Sequence, residues 1–97
     1  MADSLNTTAG ERRLSVASHV LWSVEEGGIR IVTGDPKKGL WLAYPRAAIW
    51  ELMARKNSYE SIVSKVSSIG SISVEAAGRL VRQSVQEWVE RGYLMEV

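Results

Sequence analysis

From His19 to Glu25 apolar and polar positions alternate, with Val20, Trp22 and Val24 on one side, the period of a half-buried strand. Glu26-Gly27-Gly28 interrupts the alternation with two glycines able to take positive φ, and Ile29-Arg30-Ile31-Val32-Thr33 resumes it, which predicts a tight hairpin. Residues 34–39, rich in Gly, Asp, Pro and Lys, read as a loop leading to a short third strand at 40–43. The three strands make an antiparallel meander.

After Tyr44 the period becomes helical. Pro45 suits a first helical turn, where its missing amide would have no partner, and Ala48, Ile49, Leu52 and Met53 mark the inner face of a helix over residues 45–55. Asn57-Ser58-Tyr59-Glu60 has the form of a capping box opened by Asn57, followed by a second helix with Tyr59, Ile62, Val63 and Val66 inward. Residues 67–71, around Gly70, should break it. Ser73, with Glu75 in the first turn, opens a long third helix ending at Gly92, its stripe formed by Ala77, Leu80, Val81, Val85, Trp88 and Val89. Gly78 lies inside that helix, either because a neighbouring backbone approaches closely or as a tolerated exception. Residues 1–17 show no sustained period and read as a flexible tail, and 93–97 as a short extended end, leaving one domain over 18–97. Strands followed by helices give the α+β class: a three-stranded antiparallel sheet followed by three helices, winged-helix-like in order.

Composition narrows the chemistry. With 97 residues, 45% hydrophobic, the chain builds one core; zero cysteines remove thiolate, disulfide and zinc–thiolate chemistry. No apolar run is long enough to span a membrane, and the amino terminus lacks a signal-peptide pattern, so a cytoplasmic protein is the default expectation. His19 stands alone, without a metal-ligand partner, and reads as a surface residue. Glu25/Glu26 and Glu87/Glu90 sit at a turn and near a helix end, where solvated charge explains them better than paired acid and base. No nucleophile elbow or phosphate-cradling glycine motif occurs. The expectation is a binding protein, not an enzyme, without cofactor or metal.

Two places stand out as binding surfaces. The third strand is the last in its sheet, so it can leave a backbone edge open; Leu40 and Leu42 point one way and Trp41 and Ala43 the other, and one set must lie away from the main core. On the third helix Arg79, Arg82, Gln83 and Gln86 recur at three- and four-residue intervals. That face is a solvated side, a peptide contact, or a major-groove reader with Lys37-Lys38 as a wing. The net charge of +1 argues against a protein that draws nucleic acid from a distance. A winged-helix DNA-binding module is therefore the alternative, not the leading reading.

Three segments in fixed order carry a family resemblance: Gly39 through Leu52, then Ser58-Tyr59-Glu60-Ser61-Ile62-Val63, then Val81 through Leu94 closing on Trp88-Val89-Glu90-Arg91-Gly92-Tyr93-Leu94. Together they resemble the PqqD-like proteins, the recognition element of ribosomal-peptide modification systems, at superfamily level. That family commonly has Leu-Asn before a Ser or Thr near the start of the first helix, whereas Leu42 here precedes Ala43-Tyr44-Pro45. The resemblance implies a carrier, a monomer or weak homodimer, that binds the leader of a precursor peptide as an added strand and presents it to a modifying enzyme, often a radical-SAM protein. Carried onto this chain, it implies a groove made by Leu40, Trp41, Leu42 and Ala43 on the strand and by Arg79, Val81, Arg82, Gln83, Val85 and Gln86 on the third helix.

Overall fold

The computed structural model describes residues 14–96. It is α+β: a three-stranded antiparallel sheet followed by three helices, with a short two-stranded ribbon joining the two ends of the described chain. The strands of the sheet are β2 (Leu21–Glu25), β3 (Gly28–Val32) and β4 (Leu40–Ala43), in that spatial order. The helices are α1 (Arg46–Ala54), α2 (Tyr59–Gly70) and α3 (Val74–Glu90). The ribbon is β1 (Leu14–Val16) against β5 (Leu94–Glu96), in the register Leu14 to Glu96 and Val16 to Leu94.

That ribbon corrects both ends of the sequence reading. The tail expected over residues 1–17 does not reach Ala17: Leu14 and Ala17 are buried, Ala17 N donates to Tyr93 O at 2.9 Å, and Lys56 Nζ donates to Leu14 O at 2.8 Å. Its remainder, residues 1–13, lies outside the described residues. The extended end after Gly92 is likewise a paired strand with Tyr93 and Leu94 in the core. A three-residue strand carries too short an alternation to be read from sequence, and it forms only when its distant partner is at hand.

α1 is the central element. It packs on β3 and β4 on one side and on α2 and α3 on the other, so Ala47, Ala48, Ile49, Trp50 and Met53 are all buried although the helix is only 9 residues long. Around it close Ile29, Ile31 and Leu42 from the sheet, Ile62, Val63 and Val66 from α2, and Ala77, Val81, Val85 and Trp88 from α3. Trp50, 1% exposed, meets Trp22, Trp88 and Tyr93 edge to face at centroid distances of 6.5, 5.1 and 6.3 Å. Among the described residues the indole N–H groups of Trp50 and Trp88 find no hydrogen-bond acceptor.

Several element ends also differ from expectation. Pro45 is the N-cap of α1, after a cis Tyr44–Pro45 peptide, and its carbonyl accepts from Ala48 N at 3.0 Å. Ser58, not Asn57, caps α2: its hydroxyl accepts from Ser61 N at 3.1 Å, while Asn57 donates back to Leu52 O. α2 then continues through Gly70, and the break falls at Ser71, in the left-handed region at φ 54°. Ser71 N bonds Ser68 O and Ile72 N bonds Ser67 O, the double closure of a Schellman ending. α1 closes the same way on Lys56 at φ 67°, and α3 on Gly92 at φ 79°, the one of the three where glycine removes the steric cost. Ser73 caps α3 as expected, accepting from Ala76 N.

The β2–β3 hairpin turns on Glu26 and Gly27 alone, with Gly27 at φ 86°; Gly28 already belongs to β3. β2 is also less buried than its alternation suggests. Val20 is buried but precedes the strand, Trp22 is half-buried and Val24 is exposed. Helices cover β3 and β4, and β2 projects beyond that cover as an edge strand.

Candidate functional site

The hairpin fixes which backbone groups β4 has left over. A two-residue turn closes on a pair that exchanges both backbone hydrogen bonds, here Glu25 with Gly28. Alternation along β3 then turns the amides and carbonyls of Gly28, Arg30 and Val32 toward β2, and those of Ile29 and Ile31 toward β4. In the β3–β4 register Ile29 faces Leu42 and Ile31 faces Leu40, so these pairs hold the ladder together. Trp41 and Ala43 are left with N–H and C=O directed away from β3, to an edge that takes no backbone partner among the described residues.

Side chains alternate in the same way. Leu42 is 2% exposed and Leu40 half-buried, both on the inner face, whereas Trp41 is 41% exposed on the outer face. The orientation left open by sequence is thereby decided: the leucines anchor β4, and Trp41 is free to meet a ligand. Trp41 leans back over β3, with Arg30 stacked on its ring at 5.2 Å. Gly28 is what lets it do so. A Cβ at Gly28 would overlap the Leu42 carbonyl oxygen and come within 2.8 Å of Trp41 Cζ2. Arg30 is held from the far side by Glu25, at 3.2 Å. The outer face continues through Leu21, 69% exposed, paired with the exposed Val32.

The end of β4 is tied to α3 by Arg46. Its Nε donates to Ser84 Oγ at 3.3 Å, its Nη2 to Glu87 Oε1 at 2.8 Å, and its guanidinium lies 5.4 Å from the Trp88 ring centroid. Glu87 also accepts from Arg91 at 2.9 Å, a bond that raises the Arg91 guanidinium pKa above its ordinary value. The Tyr93 hydroxyl donates to Lys38 O and pins the loop that leads into β4. Asp35 caps a single 3-10 turn there, Pro36–Lys38, by accepting from Lys37 N at 3.0 Å.

The α3 residues expected to line a groove with β4 do not share a face. Val81 and Val85, 0% and 2% exposed, belong to the core, as their place on the apolar stripe requires. Arg82 turns to α2, where its Nη1 donates to Tyr59 Oη at 2.7 Å, and Arg79 lines the same α2–α3 space. Gln86 is exposed and donates to Glu90 Oε2 at 3.2 Å. Gln83 alone falls on the flank of Leu80, Ser84 and Glu87, the flank that Arg46 reaches. Arg46 and Ser84 were not singled out in the sequence, and Glu87 was weighed only as half of a carboxylate pair with Glu90; a cation three residues after the strand, with a carboxylate on the last helix, is too common a pattern to signal a contact.

Gly78 has no neighbouring backbone to require it. Its neighbour is a side chain, not a backbone: a Cβ there would lie 3.4 Å from Tyr59 Oη and 3.5 Å from Arg82 Nη1. Among the described residues there is no cluster of three or more His, Cys, Asp or Glu able to hold a metal, and no helix long and apolar enough to cross a membrane. Comparison of the sequence with protein-family models and with curated proteins finds no match. The site is accordingly argued from its own geometry.

Proposed function

We propose that this protein is a non-catalytic peptide carrier that holds an extended segment of a partner as an additional strand on the edge of β4. The observation that carries this reading is the set of backbone groups of Trp41 and Ala43 left unpaired among the described residues, placed beside an exposed indole on a strand whose Leu42 is locked in the core and whose Leu40 packs against it. Backbone bonding supplies affinity in such a mode, and the side chains at alternate positions supply selectivity. An antiparallel segment opposite Trp41 and Ala43 gains up to two hydrogen bonds at each, and sets alternate side chains against Trp41.

The resemblance to PqqD-like proteins gives the proposal its biology: the segment is the leader of a ribosomally made precursor, the receiving enzyme is a peptide-modifying one such as a radical-SAM protein, and the setting is the cytoplasm. A winged-helix role would need Arg79, Arg82, Gln83 and Gln86 to present one reading face. Arg82 is instead engaged with Tyr59, and Gln86 with Glu90, which favours the peptide reading.

The test follows from the ladder. Leu42→Pro would remove an amide that β3 uses, in a buried residue, and so confounds folding with binding. Ala43→Pro removes an amide directed at the open edge and leaves the β3–β4 bonds in place. Titration of isotope-labelled protein with peptides of alternating apolar and polar residues should shift the amides of Trp41 and Ala43 in the parent. In Ala43→Pro, which has no amide at position 43, the Trp41 amide should shift only weakly, at unchanged thermal stability. Equal affinity for both proteins would overturn the assignment.

A further inference from the structure

A second concave surface lies away from β4, between α2 and α3. The two helices leave a cavity of about 540 Å³ with the buried Val63 and Gly78 at its floor, the exposed Val74 at its rim, and the hydrogen-bonded pair Tyr59 and Arg82 in its lining. Gly78 does not look like a packing requirement there. The Cβ of an alanine would meet the flexible ends of Tyr59 and Arg82 at ordinary contact distances, so the structure tolerates a better helix former at that position. Glycine in mid-helix with no compensating close contact is a local rule broken, and such breaks concentrate where function asks for them. What the glycine provides is depth in the groove. Val74 beside it is 62% exposed, an apolar side chain without cover.

The chemistry of the walls selects the occupant. Both walls are helices whose backbone groups are satisfied internally beyond the first turn, so along its middle the groove offers an incoming segment no backbone donors or acceptors; the first-turn amides of Tyr59, Glu60, Val74 and Glu75 are confined to the helix ends. An extended peptide laid there would bury its own amides and carbonyls unpaired, whereas a helix arrives with those bonds already made. The rims are charged and of opposite sign. α3 presents Arg79 and Arg82, with Glu75 at its N-terminal end, and α2 presents Glu60. Arg82 is fixed by Tyr59, while Arg79 makes no ion pair in the described structure.

We infer that the α2–α3 groove docks an amphipathic helix of a partner protein. That helix places apolar residues at helical spacing over Gly78 and Val63, acidic residues along the α3 rim opposite Arg79 and Arg82, and a basic residue toward Glu60. The carrier then holds two partners at once: a strand on the edge of β4 and a helix in the groove. The second site does not depend on the first.

Two displayed peptide libraries test it on the full chain, one with apolar residues at helical period and one with strict alternation, both with randomised flanks. Helical clones should bind the parent, shift the amides around Gly78 in labelled protein, and carry acidic residues on one flank and a basic one on the other. Their affinity should fall about tenfold, about 1.4 kcal/mol, with Gly78→Leu, which fills the floor, and should also fall with Arg79→Glu, an exposed change that leaves folding intact. Ala43→Pro should leave it unchanged. No enrichment from the helical library, or clones indifferent to both groove variants, or clones that associate two copies of the carrier through their own α3 surfaces instead, would overturn the inference. Failure of the alternating library alone would count against strand addition at β4 and leave the groove untouched.

Discussion

The edge of β4 and the groove between α2 and α3 differ in what their backbones have left to offer. β4 is bonded on one side only, so Trp41 and Ala43 still hold donors and acceptors and are suited to a partner that lacks its own pairing. Beyond their first turns α2 and α3 have spent theirs internally and offer apolar surface and charge, which on the proposal above suits a partner already folded into a helix. The proposed selectivity of the two surfaces therefore rests on opposite properties: β4 rewards a segment that needs backbone bonds, and the groove penalises one that does.

The two surfaces share one core, and removing its centre should abolish the distinction altogether. Trp88 is fully buried, edge to face with Trp50 and under the Arg46 guanidinium. Trp88→Ala should cost about 3–5 kcal/mol, read as a fall in the urea midpoint, with both binding activities lost together. Arg46→Ala breaks the link between the end of β4 and α3 by removing two hydrogen bonds, one of them an ion pair, from a half-buried position. A loss of about 1–2 kcal/mol is expected in the same assay, with strand binding weakened more than helix binding. Gly78→Ala should move the two quantities in opposite directions: stability rises by up to about 1 kcal/mol through helix propensity, and helix binding weakens as the floor rises. A calorimetric scan beside a binding isotherm would show it. Smallest of all, Arg30→Ala removes an exposed ion pair and a ring contact, worth about 0.5–1 kcal/mol at most, and should change strand binding only through the freedom it gives Trp41. Indole fluorescence on peptide addition would report that change.

Much of this architecture was legible in the residues. The hairpin, the strand at 40–43, the caps at Ser73 and Gly92, and the stripe of α3 follow from local period and end signals, which act over a few residues and need no tertiary partner. The misreadings share a cause. β1 and β5 are short strands that exist by pairing across nearly the whole chain, and Lys56 and Ser71 take left-handed conformations that local preference would assign to glycine. β2 keeps the alternation of a half-buried strand but stands beyond the helical cover. Of the positions expected to line a groove, those of the strand lie along the open edge of β4, and those of the helix are dispersed over different faces of α3. Positions 79, 82, 83 and 86 form a polar arc on paper, but α2 lies across part of it and claims Arg79 and Arg82.

By itself the sequence determined that three strands precede three helices, which residues form the stripes, and that β4 carries its leucines on one face and Trp41 on the other. These are consequences of side-chain period and backbone preference, both local. Only the tertiary structure decided which face of β4 is covered, that Trp41 rests over a glycine, that Arg46 binds α3, and that Arg79 and Arg82 border a groove with α2. Those facts depend on where distant elements come to rest around α1, and packing between elements far apart in the chain leaves little trace in the period of either one.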